Sequence, residues 1–369
     1  MSTDGLFLGI ETGGTGVHPA SWRRADSRAE DLFTAGYWTE VVTRAEQLGA
    51  DAVFLPDSFG LQPGGTTVTR GRLDAVAIAA RTAPITNRIA LIPQVPVTHT
   101  EPFHVSKAIA ALDFASLGRA GWEVGVSPGT AQAKAFGRKD VQTDVSLWQE
   151  ADEAIEVVTR LWDSWEDDAE IRDVPTGRFI DRDRLHYIDF TGAHFAVKGP
   201  SITPRSPQGQ PIVTVRADDP VAIDVAVRRG DLLRISAPDL ATAAARRVAL
   251  RATLATAGRD PDTVRVLLDL PVHLADSAAR ARAEVDELDR WHAAPAPELL
   301  HAGTVADLDE LLAEIAGSGI ADGVVLRPLA LHATLAALTA RPARPAGTLR
   351  DRLGLPRPTS RYARRGATL

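Results

Sequence analysis

Eight short apolar runs, separated by segments with helical spacing, restrict the folds available to this chain more than any other feature. Most of the runs are continuously apolar rather than alternating, which is typical of parallel strands buried on both faces. The eight runs are Leu6–Ile10, Ala52–Pro56, Ile89–Pro93, Trp122–Val126, Pro211–Val215, Asp231–Ile235, Val264–Leu270 and Gly323–Leu326.

This alternation of strand and helix predicts an α/β fold with a parallel sheet. A closed (β/α)8 barrel (TIM barrel) and an open doubly wound sheet both produce it, and periodicity alone does not separate them. The count of eight strands favours the barrel. In a barrel the chemistry lies at the C-terminal ends of the strands, so the residues that follow each run are the first candidates for a site.

The alternation is interrupted once. Glu166–Gln210 is charged, contains proline and glycine, and has at most a small hairpin around Leu185–Val197. We interpret it as an insertion before the fifth strand. Arg341–Leu369 is rich in proline and arginine and is interpreted as a C-terminal tail. The 369 residues are therefore predicted to form a single barrel domain with one insertion and a tail.

Composition excludes several kinds of site and partner. The chain has no cysteine, so disulfides, thiolate metal sites and a cysteine nucleophile are excluded. Its nine histidines show no H-x-H or H-E-x-x-H spacing, and we expect no metal site. A net charge of -7 without a long block of either sign argues against nucleic acid or an anionic membrane as a partner. No stretch is apolar enough for a signal peptide or a membrane span, so we expect a cytoplasmic enzyme.

Two short motifs have simpler interpretations than catalysis or cofactor binding. Gly125–Gly129 matches the G-x-S-x-G nucleophile elbow, in which the residue after the serine donates its backbone N–H to the oxyanion hole. Here that residue is Pro128, which has no N–H, so we interpret the run as a turn after a strand. Gly13–Gly16 follows the first strand but does not match G-x-G-x-x-G, and a flexible loop is the favoured interpretation.

Four stretches of the sequence are familiar from one protein family. They are His18–Arg23 with Tyr37–Glu40 and Phe54–Ser58; Leu112–Trp122 with Phe136–Gly137; Leu161–Ala169 with His186–Asp189, Gly192–Phe195, Gly199–Pro200 and Arg205–Gly209; and Thr348–Leu355. They resemble the corresponding stretches of the bacterial luciferase-like flavin monooxygenases, in the branch that contains nitrilotriacetate, long-chain alkane and dibenzothiophene-sulfone monooxygenases. The resemblance spans nearly the whole chain in the order of the family.

The resemblance implies a (β/α)8 barrel that is usually a dimer, here expected to be a homodimer. It also implies reduced FMN, supplied by a separate flavin reductase, which reacts with O2 to oxygenate a small organic substrate. The flavin of such proteins lies across the C-terminal ends of the strands, which agrees with the placement expected from the alternation of strands and helices.

The resemblance places four residues beside the flavin. Asp57 matches the acidic residue that ends strand two, and Thr98 falls near the strand-three loop under the flavin ring. After strand four, similar proteins read Asn-Val-Val-Thr-Ser-His where this chain has Glu123–Pro128, so Ser127 is retained. Trp148 stands where relatives carry a tyrosine on the following helix, which keeps an aromatic ring and loses a hydroxyl.

His18 and Glu123 are the predicted catalytic residues. Both belong to predicted strand ends, and residues that end different barrel strands converge on one site. We therefore expect them to line one pocket together with Asp57, Thr98, Ser127 and Trp148. Glu123 is the most unusual of these, because a carboxylate inside a barrel mouth tends to have either a raised pKa or a cationic partner.

The predicted phosphate site departs most from the family. Similar proteins have Gln-Ala-Gly-x-Ser after strand five, opening a helix whose N-terminal amides hold the phosphate; this chain has Val215–Asp219 and then Pro220. Asp219 is a good N-cap, so its carboxylate is expected to occupy the place of the phosphate. Each carboxylate beside a phosphate costs about 1 to 4 kcal/mol, and Arg216 is expected to offset part of that if it turns inward.

Two hypotheses remain open. The first is an FMN-dependent monooxygenase with a remodelled phosphate site and a more open pocket, since the segment between Trp291 and Gly303 is shorter than in relatives. The second is a paralogue that binds FMN weakly or not at all and acts as a partner subunit or uses another ligand, such as a deazaflavin.

Overall fold

The computed structural model describes residues 5–294 and 299–363, in which strands and helices alternate. The strands are β1 (Phe7–Glu11), β2 (Ala52–Leu55), β3 (Ala90–Pro96), β4 (Gly121–Gly125), β5 (Glu170–Asp173), β6 (Arg178–Ile180), β7 (Phe190–Thr191), β8 (Ala196–Val197), β9 (Ile212–Arg216), β10 (Leu232–Ile235), β11 (Arg265–Leu274), β12 (His301–Gly303) and β13 (Gly323–Pro328). The α-helices are α1 (Ala35–Gln47), α2 (Ala75–Thr82), α3 (Pro102–Ala115), α4 (Thr130–Phe136), α5 (Asp144–Asp163), α6 (Pro220–Arg229), α7 (Leu240–Thr256), α8 (Ala278–Trp291), α9 (Val305–Gly317), α10 (Leu331–Ala337) and α11 (Leu349–Leu353).

Eight of the strands close into a barrel. Their order around the ring is β10-β9-β4-β3-β2-β1-β13-β11, and β10 pairs with β11 to complete it. Every pairing in the ring is parallel. Each of these strands overlaps one of the eight predicted runs. The predicted (β/α)8 barrel is therefore confirmed, and the open sheet is excluded.

Local sequence sets where most helices begin. Side-chain oxygens of eight N-cap residues accept a backbone N–H from the first turn of their helix, which satisfies a donor that the helix itself leaves free. These residues are Thr34, Asp74, Thr143, Asp219, Asp239, Ser277, Thr304 and Thr348.

The insertion before the fifth barrel strand contains more structure than the sequence indicated. The pair β7–β8 lies within the predicted hairpin region, whereas the antiparallel pair β5–β6 was not predicted. Its residues are mostly charged, so they show no apolar alternation. Trp165 holds the insertion to the rest of the chain, since its indole N–H donates to the Ser201 carbonyl at 2.7 Å.

Strand β11 is longer than predicted and carries a short ninth strand beside its end. Val272 to Leu274 pair in parallel with β12, outside the barrel ring. A three-residue strand leaves too little periodicity to be recognised from sequence. The pairing brings the end of α8 to the C-terminal side of the barrel.

The N-terminal half of the barrel interior is apolar. Its core consists of inward-facing strand residues covered by three leucines of the C-terminal segment: Phe7, Ala52, Phe54, Ala90, Ile92, Ile212, Leu232, Leu267, Val325, Leu349, Leu353 and Leu355. Gly9 makes room for this packing, because a Cβ there would lie 2.6 Å from the Phe54 ring. These leucines of the predicted tail thus cover the N-terminal end of the barrel, and residues 364–369 of the tail lie outside the described part of the chain. Among the described helices, none combines the length and apolarity that crossing a bilayer requires.

Candidate functional site

A pocket of about 1020 Å³ opens at the C-terminal ends of the barrel strands. Its walls are the loops that follow β1, β2, β9, β10 and β13, together with the C-terminal part of α8. Glu11, Asp269 and Arg327 contribute from the strands themselves. The pocket therefore lies where the alternation of strands and helices placed the site.

Below the pocket, six charged side chains fill the upper half of the barrel interior. We call them the axial cluster; it consists of Glu11, Glu123, Asp269, Arg216, Arg234 and Arg327. Arg234 is 1% exposed and donates to Asp269 Oδ1 at 2.8 Å, Glu123 Oε2 at 2.6 Å and Glu11 Oε2 at 2.7 Å. Three carboxylates and three guanidinium groups balance in charge, which a group of buried ions requires.

The other two arginines complete the cluster from the pocket side. All three guanidinium nitrogens of Arg216 donate to carboxylates, those of Glu123 at 3.0 Å, Asp269 at 2.8 Å and Glu11 at 2.5 Å. Arg327 Nε donates to Glu11 Oε1 at 3.0 Å. Burial alone would raise the pKa of Glu11, but Arg327, Arg216 and Arg234 outweigh burial and hold that pKa well below its usual value. The three arginines therefore favour the ionised form of Glu11.

Glu123, predicted to be catalytic, lies inside the barrel and has the cationic partners expected of it. Both of its carboxylate oxygens accept hydrogen bonds, one from Arg216 and one from Arg234. It is 2% exposed and does not line the pocket. The geometry supports a structural role in the axial cluster rather than proton transfer to a ligand.

Arg216 turns inward, which was the condition for it to offset the repulsion between the two aspartates and a phosphate. It does so toward the barrel axis, where three carboxylates already take its nitrogens. The position of Arg216 therefore does not support a role in holding phosphate. Its carboxylate partners are distant in the sequence, so the sequence alone does not show this pairing.

His18, the other predicted catalytic residue, lines the pocket. Its Nδ1 accepts the Ala20 backbone N–H at 3.1 Å, so the proton of the neutral ring lies on Nε2, 3.1 Å from Asp289 Oδ1 on α8. Burial lowers the pKa of His18, and Asp289 offsets only part of that. The ring is therefore neutral near pH 7, and its Nε2 proton is directed at Asp289.

Asp57 follows β2 beside the pocket but is not one of its lining residues. Its carboxylate accepts the backbone N–H groups of Ser58 at 2.7 Å and Ala75 at 3.0 Å, which ties the end of β2 to the start of α2. Burial raises the pKa of Asp57, and these hydrogen bonds counter it in part.

Thr98 and Ser127 form a hydrogen-bonded pair outside the pocket lining, and Trp148 also lies outside that lining. Thr98 Oγ1 accepts the Ser127 backbone N–H at 2.9 Å, and the buried Ser127 hydroxyl has no partner among the described residues. Trp148 is 8% exposed and packs in the core between barrel and helices. The expectation that all six predicted residues share one pocket is wrong, because only His18 lines it. Their roles toward a cofactor remain predictions.

The N-terminus of α6 is occupied by the chain itself, as predicted. Asp219 Oδ1 accepts the backbone N–H groups of Val221 at 3.0 Å and Ala222 at 2.9 Å. Asp218 Oδ1 accepts the Ser236 N–H at 2.8 Å and lines the pocket. A phosphate does not fit this helix terminus, because its donors are paired and two carboxylates stand there.

Two pocket residues escaped the sequence analysis. Arg72 lies in the loop before α2 and Arg246 on α7, and both line the pocket. Arg246 donates to the Ser236 carbonyl, and neither arginine forms an ion pair with a described carboxylate. No motif marks them, since isolated arginines in a loop or helix are usually solvated.

Curated proteins similar to this chain are monooxygenases and the subunits of a synthase. N-acetyl-S-(2-succino)cysteine monooxygenase of Bacillus subtilis is 32% identical over 284 residues, which cover 77% of this chain and 64% of that protein. Nitrilotriacetate monooxygenase component A of Aminobacter aminovorans is 30% identical, over 74% and 63%. One subunit of pristinamycin IIA synthase from Streptomyces pristinaespiralis is 31% identical, over 89% and 92%. The match thus spans less than two thirds of the first two proteins and nearly all of the third.

Solved structures and a family model agree with these relatives. EDTA monooxygenase from Chelativorans sp. BNC1 superposes with a TM-score of 0.83 at 22% identity, over 95% of this chain and 98% of that one. Riboflavin lyase superposes with a TM-score of 0.85 at 23% identity, over 95% and 96%. These two show the fold. The model of the luciferase-like monooxygenase family matches residues 5–352, and the chain therefore belongs to that family.

Proposed function

We propose that this chain is the oxygenating component of a two-component monooxygenase that uses reduced FMN, supplied by a separate flavin reductase, and O2 to oxygenate a small organic substrate. The observation that carries the proposal is the pocket of about 1020 Å³ at the mouth of a closed luciferase-like barrel. This volume lies at the upper end of the range for ligand pockets and is enough for a flavin ring and a substrate together. The names of the related monooxygenases support the same class of reaction.

Reduced FMN, when bound, supplies the electrons with which O2 oxygenates a substrate. The chain contributes an apolar wall that suits the faces of a flat ring, with Trp38, Leu55, Pro56 and Leu329 among its members. His18 lies at the same wall with both ring nitrogens in hydrogen bonds, so it can exchange a proton with a ligand only once its contact with Asp289 or with the Ala20 N–H is broken.

The site does not accommodate the phosphate of FMN at the helix N-terminus that similar proteins use for it. The N-terminus of α6 is capped by Asp219, and Arg216 is already paired with the carboxylates of the axial cluster. Arg246 lines the same side of the pocket as Asp218 and Ser236, and it carries a positive charge that no described carboxylate engages. Arg246 is therefore the cation best placed to offset the two aspartates. Asp57, Thr98, Ser127 and Trp148 remain proposed contacts of the flavin.

Binding of reduced and oxidised FMN to the purified protein tests the proposal. Anaerobic titration of photoreduced FMN, followed by flavin absorbance, is expected to show saturable binding, and oxidised FMN is expected to bind more weakly. Riboflavin and an 8-hydroxy-5-deazaflavin serve as comparison ligands in the same assay. Saturable binding of the deazaflavin with none of either form of FMN would contradict the proposal.

A second candidate function is that of one subunit in a pair of related but different chains, because both named chains of one synthase are similar to this chain. The match spans 92% of one pristinamycin IIA synthase chain, and the other named chain of that synthase is also similar, at 29% identity. A chain of this length is therefore compatible with pairing with a related but different chain, as an alternative to a homodimer. The mass of the purified chain in solution separates the two: a stable homodimer that turns over substrate alone contradicts the hypothesis of a different partner chain.

A further inference from the structure

Arg72 is a half-buried cation on the pocket wall without a hydrogen-bond partner in the described chain. Its Nε is fully buried, and none of its nitrogens donates to a described side chain or carbonyl. Burial lowers the pKa of Arg72, and the charge of nearby Asp57 counters this only in part. A guanidinium in this setting is poorly solvated, and no described carboxylate lies within ion-pair distance of it.

Arg119 shows how this fold treats an arginine that lacks a carboxylate partner. It is 4% exposed, and its three guanidinium nitrogens donate to Ser116, Ile89, Ala83 and Thr86. Its donors are satisfied by the chain itself, so it is structural. The contrast indicates that the donors of Arg72 are left for something outside the chain.

The acidic residues of the pocket are already committed. Glu11 and Asp269 belong to the axial cluster, Asp218 accepts the Ser236 N–H, and Asp289 pairs with His18. None of these four is within ion-pair distance of Arg72. A ligand anion would supply the counterion that the described chain does not.

The backbone that carries Arg72 is fixed on both sides. Gln62 bonds twice to Gly71, accepting its N–H at 3.0 Å and donating to its carbonyl at 2.9 Å. Asp74 caps α2 two residues further on, accepting the Ala77 N–H at 2.7 Å. The backbone from which the Arg72 side chain extends is therefore fixed before a ligand arrives, which lowers part of the entropy lost on binding.

We propose that Arg72 binds the carboxylate of an organic substrate, whose apolar part lies against Pro56, Val68, Leu73 and Ile78. These four residues line the same pocket as Arg72. The planar guanidinium suits an oxyanion and can bond to both oxygens of a carboxylate. The inference rests on the proposed function for its view of the pocket as the active site.

A phosphate is the other anion with suitable chemistry, and the topology argues against it. Arg72 follows β2. On the other side of the mouth, Asp218 follows β9, Ser236 follows β10, and Arg246 lies on α7. Strands β3 and β4 separate β2 from β9 around the ring. Arg72 therefore lies across the mouth from the α6 side, where the family resemblance places the phosphate.

The test uses hexanoate as probe, hexanamide as its neutral counterpart, and inorganic phosphate, with binding followed by saturation-transfer NMR and calorimetry on the flavin-free protein. Wild type is expected to bind hexanoate and to bind hexanamide much more weakly. Arg72→Gln is expected to lose hexanoate affinity by about ten-fold or more, and Arg72→Lys to lose less. Arg70→Gln is the matched control, since Arg70 is exposed on the same loop and donates to Gly65.

Thermal unfolding shows whether a loss of hexanoate binding in Arg72→Gln comes from a loss of folding. Removal of an unpaired, half-buried charge is expected to leave the midpoint of Arg72→Gln equal to or above that of wild type, and hexanoate to raise the midpoint of wild type alone. Equal hexanoate affinity in wild type and Arg72→Gln, or equal affinity for hexanamide, overturns the proposal. Loss of phosphate and FMN binding in Arg72→Gln with hexanoate unaffected also overturns it. Hexanoate binding through Arg72 in a protein that binds no flavin upholds the site and contradicts the proposed function instead.

Discussion

Arg234 donates to Glu123 across 2.6 Å inside the barrel, between side chains 111 residues apart in the sequence. The same guanidinium lies 4.7 Å from the centre of the Phe54 ring, so it forms the boundary between the apolar lower core and the charged upper core. Burial by itself would lower the pKa of Arg234, but the carboxylates of Asp269, Glu123 and Glu11 raise it well above its usual value. The upper barrel is thus filled by ions whose charges are mutually compensated.

Glu123→Gln is expected to lower the free energy of unfolding by about 3–5 kcal/mol, because it leaves two guanidinium groups with one carboxylate fewer inside the barrel. Urea unfolding measures the change. Asp224→Asn is the control: Asp224 pairs with Arg228 at an exposed position, so little change is expected. A Glu123→Gln protein that keeps wild-type stability and loses turnover would restore the predicted catalytic role of Glu123.

Asp219→Ser combined with Asp218→Gly is expected to tighten FMN binding by about ten-fold or more and to leave riboflavin binding nearly unchanged. The change removes two carboxylates from the phosphate side, and serine still caps α6 through its hydroxyl. Isothermal titration of FMN and riboflavin against wild type and the variant measures both affinities.

Asp239→Ser is the matched control for that experiment. Asp239 caps α7 in the same manner, accepting the Thr242 N–H at 2.7 Å, but does not line the pocket. FMN affinity is expected to be the same as in wild type. Tight FMN binding by wild type that the double variant leaves unchanged would show that the phosphate is held away from both aspartates.

His99→Phe is expected to reduce the loss of stability between about pH 7.5 and about pH 5.5. His99 is 7% exposed and stacks on Phe136, and neither ring nitrogen has a described partner. Burial, and then the charge of Lys139, lowers the pKa of His99, while Glu150 acts in the opposite direction. As pH falls below about 6.5 the unfolded chain binds the proton first, so the folded state loses stability there.

Urea unfolding at the two pH values measures this effect. His104→Gln is the control, because His104 is exposed and its loss is expected to leave the pH dependence as in wild type. Burial lowers the pKa of His18, His273 and His332 as well, so the variant retains part of the dependence. An identical drop in wild type and His99→Phe would contradict the assignment.

Gly16→Ala is expected to lower the free energy of unfolding by more than about 1 kcal/mol and to distort the first loop of the pocket. Gly16 has a φ of +142°, and a Cβ there would lie 2.2 Å from the Leu329 carbonyl oxygen. Gly347 has a similarly large positive φ, +156°, but a Cβ there would come no closer than 3.6 Å to another residue. Thermal or urea unfolding of Gly16→Ala and Gly347→Ala therefore separates the clash from the backbone strain, and equal losses would contradict the clash.

Much of the fold could be predicted from the sequence because burial and periodicity are local signals. The eight barrel strands, the insertion before β9 and the capping of α6 by Asp219 all follow from short stretches of residues. The strands β5, β6 and β12 were missed, since they are short and either charged or too brief to show a pattern.

The candidate site was less predictable. The sequence placed it at the strand ends, and His18 is there. It did not show that Glu123 and Arg216 face one another below the pocket, at 3.0 Å and 93 residues apart. Nor did it mark Arg72 and Arg246, whose importance depends on which carboxylates remain free to pair with them.

By itself, the sequence determined which segments form the barrel strands and most of the helices, and where most helices begin. Only the tertiary structure decided which charges meet. Closure of the ring brings together side chains from six strands, and each carboxylate taken into the axial cluster becomes unavailable at the pocket wall. Pairing of ions is a property of distance in space, and the local pattern of residues carries no record of it.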